Sequence, residues 1–139
     1  MPLPAVAIEC SLFEAVGETS VLKNQEVTGK EVTVDHFFQV EIRIGRISKV
    51  EDFPKARKPA YKLWIDFGPL GTKQSSAQLT KRYSKDDLVD RLVVAVTNFP
   101  PRQIADFISE VLVLGVDVGD GEIVLLRPDF DAPLGALIS

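Results

Sequence analysis

Arg102 follows the pair Pro100-Pro101, and Ser109 and Glu110 stand a few residues further on. Neither proline can donate a backbone hydrogen bond, and each disfavours helix in the residue before it. The pair therefore makes a stiff loop with a guanidinium at its tip, and the chain returns with a hydroxyl and a carboxylate. Fixed polar loop tips on a β scaffold are suited to binding. Lys58, Lys62 and Lys73 add cations for phosphates or acidic groups, and Leu112 adds an apolar contact.

Catalytic chemistry finds less to use. Lys73-Gln74-Ser75-Ser76 offers hydroxyls without a positioned base, and Asp66 and Glu110 show no glycosidase spacing. The turn Gly68-Pro69-Leu70-Gly71 lacks the Gly-Lys-Ser/Thr of a phosphate loop. His36 is the single histidine and Cys10 the single cysteine, so neither a histidine cluster nor a cysteine-based zinc site has enough ligands. The residues read as a binder, not an enzyme, with no cofactor and no metal.

Net charge is -4, which disfavours indiscriminate nucleic-acid binding. The distribution is uneven. Lys49–Lys85 holds nine bases and three acids, so it carries +6 and the remainder carries -10. One basic face on an acidic body fits this pattern, and so does a solvated stretch whose charges diverge on folding.

The elements that position these groups are short. Leu92–Val96 is a β-branched run long enough for a strand buried on both faces. The Pro-rich turn ends it, and a second strand is predicted over Ile108–Gly115. Glu41–Val50 reads as the first long strand, with a bulge or sharp bend at Gly45. In Ala60–Phe67, alternation puts Leu63, Ile65 and Phe67 on one face and Lys62, Trp64 and Asp66 on the other. Trp64 is then either a ligand platform or covered by the N-terminal segment or a second subunit. Thr72–Ala77 is a short polar strand, Ser84–Asp87 a capping box, Asp117–Gly121 a turn and Glu122–Leu126 the last core strand. Leu134–Ile138 is a candidate edge strand. Asp35 reads as the cap of a turn over His36–Val40, with Phe37 or Phe38 turned inward.

Short strands, glycine-marked bends and little helix predict an all-β chain, a small barrel with short helical turns. The barrel domain is set at residues 35–139, behind an N-terminal extension over 1–34 that is flexible or docks. A weak hairpin around Thr28-Gly29 is possible within Val21–Val34. Met1–Val16 lacks the positive start of a secretory signal, and no apolar run reaches the ~18 residues of a membrane span. A cytoplasmic protein without membrane insertion is expected.

Three motifs in order, Lys73–Gln78 (KQSSAQ), Asn98–Arg102 (NFPPR) and Ser109–Gly115 (SEVLVLG), closely resemble the CsaA family. These are small bacterial proteins described as export-related chaperones. They belong to a tRNA-binding-domain superfamily that includes the C-terminal domain of some methionyl-tRNA synthetases. The resemblance runs from about Phe37 to the C-terminus. It implies an OB-fold barrel, a homodimer and binding of preproteins or unfolded peptides, with tRNA as the alternative ligand of the same groove. In tRNA-binding relatives a basic residue after the first strand and a Ser-Gln-Gly-Met-like segment contact the outer corner of tRNA. The matching segment is Ser109-Glu110-Val111-Leu112, and the basic position falls to Lys58 or Lys62. Glu110 departs from the pattern, because an anion repels phosphate and cannot donate a hydrogen bond.

Overall fold

A computed structural model describes residues 30–139. Strand β1 (Ile42–Asp52) is the hinge of the fold. Its first half pairs antiparallel with β4 (Leu92–Val96), from Ile42 opposite Val96 to Arg46 opposite Leu92. Its second half pairs with β2 (Tyr61–Asp66), ending with Asp52 opposite Tyr61. A register shift between Ile47 and Lys49 bends the strand from one partner to the other. Strand β3 (Thr72–Ala77) continues from β2, and β7 (Leu112–Val113) from β4. The order β3-β2-β1-β4-β7 makes a nearly closed, OB-like barrel. The all-β reading holds, with two short helices, α1 (Val34–Gln39) and α2 (Lys85–Leu88).

The interior is filled from alternate strand positions. Ile47, Leu63, Ile65, Val93 and Ala95 meet there, and Leu88 of α2 closes one end. Every residue of β4 is buried, for two reasons. Val93 and Ala95 face the barrel interior, while Leu92 and Val94 pack outward with Ile44 beneath the C-terminal segment. That segment lies along β1: Gly135 and Ile138 donate backbone bonds to Ile44 and Ile42, and Ile44 donates to Ala136. The expected edge strand over Leu134–Ile138 is thus a strap, held to β1 by these bonds with one isolated antiparallel bridge, Leu137 opposite Arg43.

Several expectations are corrected. Gly45 keeps regular register opposite Val93, and the bulge falls after Ile47. Glycine is needed for space, because a Cβ at position 45 would lie 2.5 Å from Ile65 Cγ2 and 2.8 Å from a Phe67 ring carbon. The strand predicted over Ile108–Gly115 is broken into pieces. β5 (Arg102–Ile104) and β6 (Phe107–Ser109) form a separate hairpin turning at Ala105-Asp106, with Ala105 at φ 53. β7 follows, then β8 (Gly115–Gly119) pairs with β9 (Glu122–Leu125) around Asp120-Gly121. Thr33, not Asp35, caps α1 by accepting from the His36 N–H, and Phe37 and Phe38 stay exposed, edge to face. The Ser84–Asp87 capping box forms as read, with both reciprocal bonds made. Cys10 and the Thr28-Gly29 hairpin turn lie outside the described residues.

Candidate functional site

β3 and β7 are the two ends of the sheet order, so the barrel has a seam between them. Side chains close it where a ladder is missing. The Glu110 N–H donates to the Gln74 carbonyl at 2.8 Å, and the Gln74 N–H donates to the Glu110 carboxylate at 3.1 Å. The Ser75 hydroxyl, buried in the core, donates to the Val111 carbonyl at 2.9 Å. The Ser76 N–H donates to the Ser109 hydroxyl at 3.2 Å. Gln74 Nε2 reaches the Ile108 carbonyl at 2.6 Å, drawing the β5–β6 hairpin onto the outer face of β3. Two of the motifs singled out in the sequence are therefore the two sides of this seam.

Beyond Ser76 the seam opens into a groove of about 350 Å³. Its floor is apolar, from Ile104, Leu79, Ile123 and Leu125; Arg102, Ser109 and Leu112 stand along it. On the other side of Arg102 and Leu112 lies a smaller cavity of about 280 Å³, walled by Phe99, Pro100, Glu110 and Val111. Arg102 is exposed between the two and carries no ion pair among the described residues. At its Gln78 end the groove meets a third cavity of about 250 Å³, which Lys58 and Lys81 line. The Lys81 ammonium is engaged by the Asp120 carbonyl.

Arg102, Ser109, Glu110 and Leu112 are thus brought together, with Lys58 at the far end. Lys62 and Lys73 fall elsewhere. Lys62 lies over the Phe53 and Phe107 rings at 5.0 and 5.2 Å. Lys73 pairs with Ile65 and so takes the opposite face of the sheet from Lys62, the face of buried Ser75. Trp64 packs edge to face on Phe107 of the chain's own hairpin, so neither the N-terminal segment nor a second copy is required to cover it. The basic stretch is partly neutralised: Lys49, Lys55, Arg82 and Lys85 pair with Glu51, Asp106, Glu122 and Asp52. The Lys55–Asp106 pair, at 2.9 Å, ties the β1–β2 loop to the hairpin tip, and that hydrogen bond holds the Asp106 carboxyl below its ordinary range.

The floor residues were not legible as a set, because they arrive from separate elements with no shared spacing. Asn98 was quoted in a motif without a role. Its side chain accepts from the Glu41 N–H and donates to the Gln39 carbonyl, both at 2.8 Å, and so pins the end of α1 to the barrel. Among the described residues no group of three His, Cys, Asp or Glu side chains could hold a metal ion. No described helix is long and apolar enough to cross a membrane.

Known proteins share this fold. Residues 42–137 match the family model described as "Putative tRNA binding domain". The chain is 34% identical over 137 residues to a methionine–tRNA ligase of Thermococcus onnurineus, covering 96% of this chain and 18% of that enzyme. It spans less than a fifth of such curated relatives. The crystal structure of the chaperone CsaA from Bacillus anthracis is 49% identical, covers 79% of this chain and all of that one, and superposes with a TM-score of 0.76. CsaA from Picrophilus torridus is also 49% identical, with a TM-score of 0.72 over 78% of this chain. A barrel whose seam is closed by the KQSSAQ and SEV segments, with these likenesses, has one assignment: the chain belongs to the tRNA-binding domain family and, within it, to the CsaA proteins.

Proposed function

We propose that this chain is a CsaA-type chaperone whose groove takes extended segments of preproteins or unfolded polypeptides. The carrying observation is the incompletely closed seam. Where β3 and β7 part, two strand edges flank an apolar floor with Arg102 at the rim. Extended polypeptide can add to such an edge while an alternate side chain enters the apolar cavity. Binding rather than catalysis is the role, in keeping with a family that is a binding domain.

tRNA is the second reading. The family match and the CsaA likeness support both ligands, and the Lys58–Lys81 cavity extends the groove with positive charge. Against it stands Glu110, an anion in the wall of the neighbouring cavity. Titration of the purified protein with unfolded peptide and with tRNA at two salt concentrations separates them. Apolar burial persists at high salt. Phosphate contacts lose affinity with a log–log slope of roughly -0.7 to -0.9 per neutralised phosphate. Submicromolar tRNA binding at physiological salt overturns the peptide reading.

The proposed working state is a homodimer in the cytoplasm. Helix α1 buries none of its residues, and Phe37, Phe38 and the strap's Leu137 remain exposed. Apolar side chains on a helix pinned in place call for a cover.

A further inference from the structure

A cleft of about 460 Å³ shares no lining residue with the groove. It lies between the outer barrel wall and the segment 127–131 that follows β9, and three arginines line it from separate elements: Arg46 of β1, Arg91 before β4 and Arg127 after β9. Two of them are held by neutral partners. Arg46 Nη1 donates to the Asp90 carbonyl at 2.8 Å, and that residue has a left-handed backbone, φ 68. Arg91 Nε donates to the Asp87 carbonyl at 3.3 Å, and its guanidinium rests on the Tyr83 ring at 5.1 Å. None of the three forms an ion pair among the described residues. Arg46, oriented by a carbonyl and without an ion pair, and exposed Arg127 are the guanidiniums available to a phosphate, while Arg91, turned to Tyr83 and Asp87, adds positive charge beside them.

Two further features narrow the ligand. Phe130, in the segment between β9 and the strap, lines the cleft and is 81% exposed, the most exposed of the large apolar side chains described. A flat ring at that position suits stacking with a base. Asp90, Asp129 and Asp131 share the cleft without ion pairs, which disfavours a strand running through it, as distinct from a single terminal nucleotide, and offers acceptors to ribose hydroxyls. A phosphate, a planar base and a pair of hydroxyls occur together in a nucleotide. We propose that this cleft is a second binding site, for a nucleoside monophosphate, either free or as the 5′ end of an RNA strand.

The full chain is titrated with AMP, with inorganic phosphate and with a short 5′-phosphorylated oligoribonucleotide, following backbone amides by NMR. AMP is expected to shift Asp90, Arg91, Asp129 and Phe130 and to leave Leu112 in place. Arg127→Ala should weaken AMP and phosphate alike, by about tenfold, as expected for a lost charged hydrogen bond. Phe130→Ala should weaken AMP severalfold and spare inorganic phosphate. Both side chains are exposed, so both variants should melt as the parent does. Oligoribonucleotide binding that needs Arg127 identifies an RNA end as the source; Arg127-dependent AMP binding with no binding of the oligoribonucleotide identifies the free nucleotide. No shifts at millimolar AMP, or AMP binding indifferent to Arg127→Ala, overturns the proposal. Shifts confined to the groove overturn it too. Because the cleft and groove are disjoint, none of these results decides the groove's ligand.

Discussion

Glu110→Gln separates the two readings of the groove. The carboxylate accepts from the Gln74 N–H at 3.1 Å, and a glutamine amide oxygen can accept the same bond. Exchanging a charged acceptor for a neutral one should cost about 1 kcal/mol of stability. The barrel should therefore fold, with a modestly lowered Tm. The freed amide nitrogen then faces the cavity beside Arg102. If a phosphate binds there within a few ångströms, removing the anion should gain about 1 kcal/mol at solvent-like dielectric, or about fivefold in affinity. Arg102→Ala should lose a similar amount and flatten the salt slope by roughly 0.7 to 0.9. If the groove takes peptides, neutral clients should bind Glu110→Gln unchanged, and only basic clients should weaken. Fluorescence anisotropy with labelled tRNA and labelled unfolded peptide, at two salt concentrations, reads all of these. Tighter tRNA binding by Glu110→Gln, with the binding of basic peptides unmoved, would refute the peptide reading. An unfolded Glu110→Gln would refute the argument that the bond survives the change.

Other consequences are checked separately. Light scattering should return a dimer at micromolar concentration, and Phe38→Glu with Leu137→Glu should give a folded monomer; a parent monomer removes the dimer proposal. Gly45→Ala should destabilise by about 1–3 kcal/mol, because its Cβ meets Ile65 and Phe67 with nowhere to move, and denaturant unfolding measures this. The Ser84 N–H, and next its hydroxyl, hold the Asp87 carboxyl below its ordinary range. A depressed carboxylate stabilises above its unfolded pKa of about 4 and loses that contribution as pH falls through the folded value. The Tm gap between parent and Asp87→Ala should then be constant near neutrality and shrink below about pH 4; a gap that does not shrink contradicts the capping-box origin. Deleting residues 1–29 should leave melting cooperative, which calorimetry tests; loss of the transition would place those residues in the folding unit.

What the sequence made legible depended on how local the cause was. Leu92–Val96 was readable because burial on both faces leaves a continuous apolar run. The Ser84–Asp87 box was readable because its partners lie three residues apart. The β5–β6 hairpin was not, because its turn uses Ala105 in a left-handed conformation that glycine or asparagine would have announced. Gly45 was readable as a special position but not for its reason. The atoms that forbid a side chain belong to β2 and to Phe67, distant in sequence. Trp64 was placed on the outer face correctly, but its cover, Phe107, comes from the hairpin that the pattern missed.

The seam shows why the recognisable motifs are an ambiguous guide to the site. A ladder between β3 and β7 would accept almost any side chains, because backbone groups would supply its bonds. Here a single backbone bond, from the Glu110 N–H to the Gln74 carbonyl, is supplemented by two serine hydroxyls and one carboxylate at defined heights. Residue type is therefore constrained by the need to satisfy buried backbone groups at a split barrel edge. Ser75 and Glu110 answer that constraint whether or not a ligand is bound. Arg102 does not, since no hydrogen bond or ion pair within the described fold uses its exposed guanidinium. Of the candidate residues at the groove, Arg102 and, at the far end, Lys58 are the cations that the described fold leaves without an ion pair. The Arg102 variant therefore reports on binding with little disturbance of stability, and the Glu110 variant has to be read beside it.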